Sequence, residues 1–89
     1  MNDEMRKLLE EREKTHGEFF DVAMVSQSIK DALRKADSWY AMEDISREAL
    51  DMIASKMSRI VNGDHSFVDH WVDLVGYASL VVDRLRKNS

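Results

Sequence analysis

The stretch Asp69-His70-Trp71-Val72-Asp73-Leu74-Val75-Gly76-Tyr77-Ala78 decides the fold, because it has the pattern of a helix with two faces that can pack. At about 100° per residue, one apolar stripe contains Phe67, Trp71, Leu74, Ala78, Val81 and Leu85. Asp69 and Asp73 lie one turn apart on the opposite face, which also carries Val72, Gly76, Tyr77 and Leu80. Covered carboxylates need partners, so this pattern predicts a cation, a metal ion or hydrogen-bond donors beside the two acids.

Composition places the chain among small globular proteins. Its 89 residues predict one domain, 1–89. The content of 44% hydrophobic and 34% charged residues is ordinary for a globular protein. The lack of cysteine excludes disulfides, iron–sulfur clusters and thiolate zinc sites. A net charge of −4 argues against general nucleic-acid binding. We see no signal peptide and no apolar run that would span a membrane, so we expect a cytoplasmic protein.

Periodicity and breaks along the chain predict helices only. Proline is absent and glycine occurs three times, so little interrupts a helix. We predict four helices, at about residues 3–14, 18–35, 44–61 and 66–86. Asp3 is the expected N-cap of the first helix, and Ser66 with Asp69 is the expected capping pair of the fourth. Asn62-Gly63 is a typical C-terminal stop for the third. The predicted fold is an all-α, small four-helix bundle.

The third and fourth predicted helices each carry two acids. Glu48 and Asp51 are three residues apart, so their carboxylates can approach one point. The short connection after Val61 predicts that the two helices form an antiparallel hairpin. Four oxygen donors, Glu48, Asp51, Asp69 and Asp73, would then meet in one groove, which suits Mg²⁺ or Mn²⁺. A chain this small has a limited core, so we also expect a homodimer or higher homo-oligomer to cover the second face of the fourth helix.

These residues resemble a known family. The sequence is similar to the MazG-like all-α NTP pyrophosphatases, and especially to small phage and prophage members of unknown function. The similarity lies in Glu48-Ala49-Leu50-Asp51, in Lys56 and Arg59, and in Asp69-His70-Trp71-Val72-Asp73 with Gly76-Tyr77. The segment Glu11-Arg12-Glu13-Lys14-Thr15-His16-Gly17 resembles their N-terminal region, so the similarity covers most of the chain.

The resemblance implies a Mg²⁺-dependent nucleotide pyrophosphohydrolase, usually a dimer or tetramer, that splits a nucleoside triphosphate into monophosphate and pyrophosphate. Family members carry an E-x-x-E element and an E-x-x-D element. Glu48 and Asp51 match the first, and Asp73 matches the last acid of the second. His70 stands where the second element has glutamate, with Asp69 one position earlier as a substitute.

The resemblance also implies roles for individual residues. The metal ligands would be Glu48, Asp51, Asp69 and Asp73. The candidate catalytic residues are Glu48, Asp51, Asp73 and Lys56. The candidate substrate-binding residues are Lys56, Arg59, His70 and Tyr77. A metal-bound water would attack a phosphoryl group while the cations stabilise the developing charge.

Each feature also has a purely structural interpretation. The acids on the third helix could form a solvated face, Asp69 could cap a helix, and Asp73 could form a buried salt bridge with Lys56 or Arg59. His70 could be the partner of a carboxylate, and Trp39 and Tyr40 could stack on a base or pack in the core. His16 is expected on the surface or in a turn, as a weaker candidate for substrate contact. Two other functions therefore stay open, a catalytically silent nucleotide- or metal-binding module and a phage-type protein-interaction module.

Overall fold

Four α-helices and one short 3-10 helix make up the part of the protein that the structure describes. The structure, a computed structural model, describes residues 1–88, and this part of the chain contains no strand. The α-helices are α1 (Asp3–His16), α2 (Phe19–Arg34), α3 (Asp44–Asn62) and α4 (Val68–Lys87), and the 3-10 helix is Trp39–Ala41. The all-α prediction and the number of helices are confirmed. None of these helices combines the length and the apolarity that crossing a membrane would require.

The helix ends differ from the predicted ones in ways that side-chain hydrogen bonds explain. Asn2, one residue before the predicted cap, accepts a hydrogen bond from the Met5 N–H at 2.8 Å and caps α1. The predicted Ser66–Asp69 capping pair is wrong: Ser66 donates its N–H and hydroxyl to Asp64 Oδ1, at 2.9 and 2.6 Å. This turn delays α4 until Val68. The stop of α3 is as predicted, with the Gly63 N–H donating to the Arg59 carbonyl at 2.9 Å.

α3 is the central helix, packed against α1, α2 and α4. It lies antiparallel to α4, since Lys56 pairs with Asp73 near one end of the hairpin and Glu43 pairs with Arg84 near the other. The buried apolar side chains of the described residues are Val22, Trp39, Ala49, Ala54 and Ile60. The buried polar ones are Ser26, Lys56, Ser58 and His70. The interior is therefore thin and partly polar, which is typical of a small chain.

The face that α4 turns toward α3 agrees only in part with the predicted one. Phe67, Leu74 and Val81 of the predicted apolar stripe are half-buried. Trp71 and Leu85 of the same stripe are about half exposed, and Ala78 is exposed as well. His70 is buried, and Asp73 and Tyr77 are half-buried beside it. The covered face of α4 therefore combines part of the apolar stripe with polar residues, and Lys56 of α3 offers Asp73 a charged partner there.

Candidate functional site

The structure does not bring the four predicted metal ligands together within one chain. Asp51 pairs with Arg34 of α2, whereas Asp73 pairs with Lys56 of α3, so each of these acids has a cation of its own. Glu48 and Asp69 are exposed, and neither side chain forms a hydrogen bond or ion pair with another residue in the range 1–88. In that same range, no group of three or more His, Asp or Glu side chains is placed to hold a metal ion.

Asp73 and Lys56 form a short ion pair between α4 and α3. The Lys56 ammonium lies 2.6 Å from Asp73 Oδ2, and the lysine side chain is 10% exposed against 46% for the aspartate. The hydrogen bond from Lys56 lowers the pKa of Asp73, and the positive charges of Lys56, His70 and Arg59 lower it further. The alternative interpretation of Asp73 as a salt-bridge partner of Lys56 is confirmed.

Asp51 faces α2, where Arg34 binds it with two parallel hydrogen bonds of 3.0 and 2.8 Å. This bond raises the pKa of Arg34 above its usual value. The same guanidinium lies over the ring of Trp39, 4.9 Å from its centroid. Trp39 is 3% exposed, so its core-packing interpretation is confirmed, whereas Tyr40 beside it is largely exposed. Asp51 therefore joins α2 to α3.

His70 is almost completely buried, at 1% exposure, where α4 meets the end of α1. Its Nε2–H donates to the Thr15 carbonyl at 2.9 Å. The other ring nitrogen, Nδ1, is buried without a hydrogen-bond partner among residues 1–88. The ring packs edge-on against His16, with centroids 4.5 Å apart, and against Phe67 at 5.0 Å. The expected carboxylate partner of His70 is thus wrong, because a backbone carbonyl takes that place.

Two glycines let the end of α1 approach the α3–α4 turn. Gly17 has φ +83°, and a Cβ there would lie 2.6 Å from the Asn62 carbonyl oxygen. A Cβ on Gly63 would lie 2.2 Å from the carbonyl oxygen of Thr15. That carbonyl accepts hydrogen bonds from the Asp64 N–H, at 3.0 Å, as well as from His70. This close crossing fixes His16 against His70.

A cavity of about 350 Å³ opens beside this crossing. It is lined by Leu9, Arg12, Glu13, His16, Gly17, Phe19, Val22 and Arg59. His16 is half-buried in the wall, and its Nδ1 lies 2.6 Å from the Thr15 hydroxyl. Arg12 and Arg59 bring guanidinium groups to the cavity from α1 and α3. Its lining combines apolar side chains with three basic ones, Arg12, His16 and Arg59, and Glu13 is its one acid.

The cationic character of this region is visible in His16. Burial lowers the pKa of His16 below 6.5, and the nearby positive charges of His70, Arg12, Arg59 and Lys56 lower it further. We call these five residues the basic cluster: Arg12, His16, Lys56, Arg59 and His70. Lys56 is already paired with Asp73, and a lowered pKa favours the neutral form of His16 at pH 7, so the positive charge offered to an anionic ligand at the cavity is that of Arg12 and Arg59.

The basic cluster contains three of the four predicted substrate-binding residues, Lys56, Arg59 and His70. The fourth, Tyr77, lies instead in an apolar groove of about 340 Å³ between α3 and α4, beside Glu48, and this groove shares no lining residue with the cavity. Sequence reasoning missed Arg12 and undervalued His16. Their spacing of four residues, which places both on one face of a helix, is a signal that could have indicated them.

Comparison of the chain with protein-family models, with curated proteins and with solved structures gave no match.

Proposed function

We propose that this chain is a MazG-like domain that binds a nucleotide through its phosphate groups at the basic cluster. The observation that carries the proposal is that Arg12 of α1 and Arg59 of α3 line the same open cavity as His16, whose ring packs against a second histidine, His70. The nucleotide class comes from the resemblance of the sequence. A cytoplasmic location, a phage or prophage origin and a homo-oligomeric state belong to the same proposal.

The cluster has the chemistry that phosphate groups require. Arg12 and Arg59 present planar donors that match the geometry of phosphate oxygens, and they reach the cavity from two different helices. Phe19, 78% exposed, lies at the cavity and offers an aromatic face to a nucleobase.

The carboxylates of one chain do not fit the Mg²⁺ site that the resemblance implies. Asp51 and Asp73 would have to leave Arg34 and Lys56 before they could coordinate a metal ion. We therefore derive no catalytic step through a metal. Among the functions that the sequence left open, the geometry favours the nucleotide-binding module. The competing function is hydrolysis of nucleoside triphosphates, and an assay for released pyrophosphate distinguishes the two.

Calorimetric titration of the full chain with nucleoside triphosphates, monophosphates and unphosphorylated nucleosides tests the proposal. Triphosphates should bind more tightly than monophosphates, and nucleosides should not bind measurably. Arg12→Gln and Arg59→Gln should each weaken binding about tenfold or more, because a hydrogen bond to a charged group contributes about 1.5–3 kcal/mol. Arg6→Gln, on the exposed surface of the same helix as Arg12, is the matched control and should bind like the unmodified chain.

The same samples, assayed for pyrophosphate with and without Mg²⁺, separate binding from turnover. Binding without pyrophosphate release supports the binding module. Mg²⁺-dependent release that is lost in Glu48→Gln and Asp73→Asn would favour the hydrolase. Equal binding of nucleosides and triphosphates, or binding unaffected by Arg12→Gln and Arg59→Gln, would refute a phosphate site at the basic cluster.

A further inference from the structure

His16 belongs to the wall of the cavity beside the Gly17–Gly63 crossing, and its ring is held by several neighbours. The ring packs edge-on against His70, with centroids 4.5 Å apart, and at a tilt against Phe67, with centroids 6.0 Å apart. Its Nδ1 lies 2.6 Å from the Thr15 hydroxyl oxygen. The side chain is thus fixed in place at a cavity to which two arginines offer positive charge.

The Thr15 hydroxyl has two acceptors within reach, and its single proton can go to either of them. When His16 Nδ1 is unprotonated, the hydroxyl donates to that nitrogen at 2.6 Å. When His16 is an imidazolium, its Nδ1–H donates to the Thr15 oxygen, and the hydroxyl donates to the Arg12 carbonyl at 3.3 Å. Both protonation states of His16 therefore leave Nδ1 and the hydroxyl with a partner. His70 has no such arrangement, because its Nδ1 has no hydrogen-bond partner in the described part of the chain.

We infer that the Thr15–His16 pair couples the binding of an anion in this cavity to the uptake of one proton by the His16 ring. The inference rests on the anion site of the proposed function and adds the regulation of that site by pH. Without a ligand, burial and the neighbouring positive charges lower the pKa of His16, so the ring is mainly neutral at pH 7. An anion in the cavity offsets that repulsion and favours the imidazolium. By reciprocity, a fall in pH must then tighten the binding of the anion.

The charged and titratable groups near His16 come from α1, α3 and α4, namely Arg12, Glu13, Lys56, Arg59, His70 and Asp73. Lys56 and Asp73 pair with each other, so their charges largely offset. Glu13 is the one acid of the cavity lining against two arginines, and α2 contributes only the apolar Phe19 and Val22. An imidazolium at His16 therefore meets a net repulsion that a bound anion would remove.

Sulfate is the probe that tests this coupling, because it keeps both negative charges where histidine titrates, whereas a phosphate monoester has a second pKa of about 6. The ring signals of the three histidines are followed by NMR in the full chain as a function of pH, with and without sulfate. Sulfate should raise the pKa of His16 and leave that of the exposed His65 unchanged. The dissociation constant of sulfate should be about threefold or more lower at about pH 5.5 than at about pH 7.5, because a tenfold change in affinity corresponds to one unit of pKa.

Variants of the pair separate the coupling from a general effect of charge. His16→Gln should remove most of the pH dependence of sulfate binding, and His65→Gln, the matched control, should keep it. Thr15→Val removes the hydroxyl but keeps the backbone carbonyl that holds the crossing, so sulfate should raise the pKa of His16 less in this variant. Thr15→Ser keeps a hydroxyl and should behave like the unmodified chain.

The outcomes distinguish this inference from the proposed function. A pKa of His16 that sulfate leaves unchanged while a nucleoside triphosphate binds, or an equal rise in Thr15→Val and the unmodified chain, would overturn the coupling alone. Failure of both sulfate and the triphosphate to bind at any pH would overturn the phosphate site and the coupling together.

Discussion

The crossing of the α1 end over the α3–α4 turn predicts a large effect for a very small change, Gly63→Ala. The new methyl group would lie 2.2 Å from the Thr15 carbonyl oxygen and 2.7 Å from the Gly17 nitrogen. All of these neighbours are backbone atoms, so the two chain segments must separate by more than about 1 Å to reach ordinary contact distance. The hydrogen bonds from Asp64 N–H and His70 Nε2–H to the Thr15 carbonyl would then be lengthened or broken.

The size of the effect follows from these contacts. Two hydrogen bonds contribute about 1 kcal/mol each, and steric overpacking costs about 1–3 kcal/mol, so the free energy of unfolding should fall by about 3–5 kcal/mol. The loss is large for a chain of this size, because native domains are stable by only about 0.05–0.15 kcal/mol per residue. In a domain this small, each kcal/mol lowers the melting temperature by about 4–8 °C, so the variant should melt at least about 12 °C lower.

Thermal unfolding followed by circular dichroism measures this, with Gly76→Ala as the matched control. Gly76 lies within α4 and a Cβ there would meet nothing within 4 Å, so alanine should stabilise the helix by about 0.5–1 kcal/mol and raise the melting temperature. The two glycine-to-alanine changes should therefore have opposite signs. A Gly63→Ala variant that melts within a few degrees of the unmodified chain would refute the close crossing.

Two further predictions concern charged and titratable groups. Because the folded state lowers the pKa of His16 below the 6.5 of the unfolded chain, the unfolded state binds the extra proton first. The free energy of unfolding, measured by urea titration, should therefore decrease as the pH falls from about 7.5 to 5.5, and this decrease should be smaller in His16→Gln. The same pH dependence in the variant and the unmodified chain would contradict the prediction. For the ion pair of α3 and α4, Asp73→Asn should destabilise the chain more than Lys56→Met, because the first leaves a buried ammonium unpaired and the second leaves a half-exposed carboxylate in water. Urea unfolding of both variants checks this order, and the reverse order would contradict it.

The helices of this protein could be predicted from the sequence because their signals are local. The 3.6-residue spacing of apolar side chains, the lack of proline and the Asn62-Gly63 stop lie within a few residues of the structure that they specify. The ends of the helices were less predictable. The cap moved to Asn2 and the Ser66–Asp64 turn delayed α4, because several adjacent polar side chains compete for the same backbone groups.

Only some of the residues of the candidate site could be identified from the sequence. Lys56, Arg59 and His70 were identified as a group, but their neighbours Arg12 and His16 come from α1, far away in the chain. Which residues meet in space depends on the Gly17–Gly63 crossing, and nothing in the spacing of residues along one helix specifies that contact.

The sequence by itself determined that the chain forms four helices, roughly where they lie, and that α3 and α4 each carry a pair of acids. Only the tertiary structure decided that Asp51 pairs with Arg34 and Asp73 with Lys56, so that the acids separate instead of converging. The physical reason is that helical periodicity fixes the order of side chains around a helix, whereas the rotation of each helix about its axis is set by packing. Turning α4 so that Asp73 meets the buried Lys56 leaves Val68, Val72 and Val75 exposed on the opposite side of the helix.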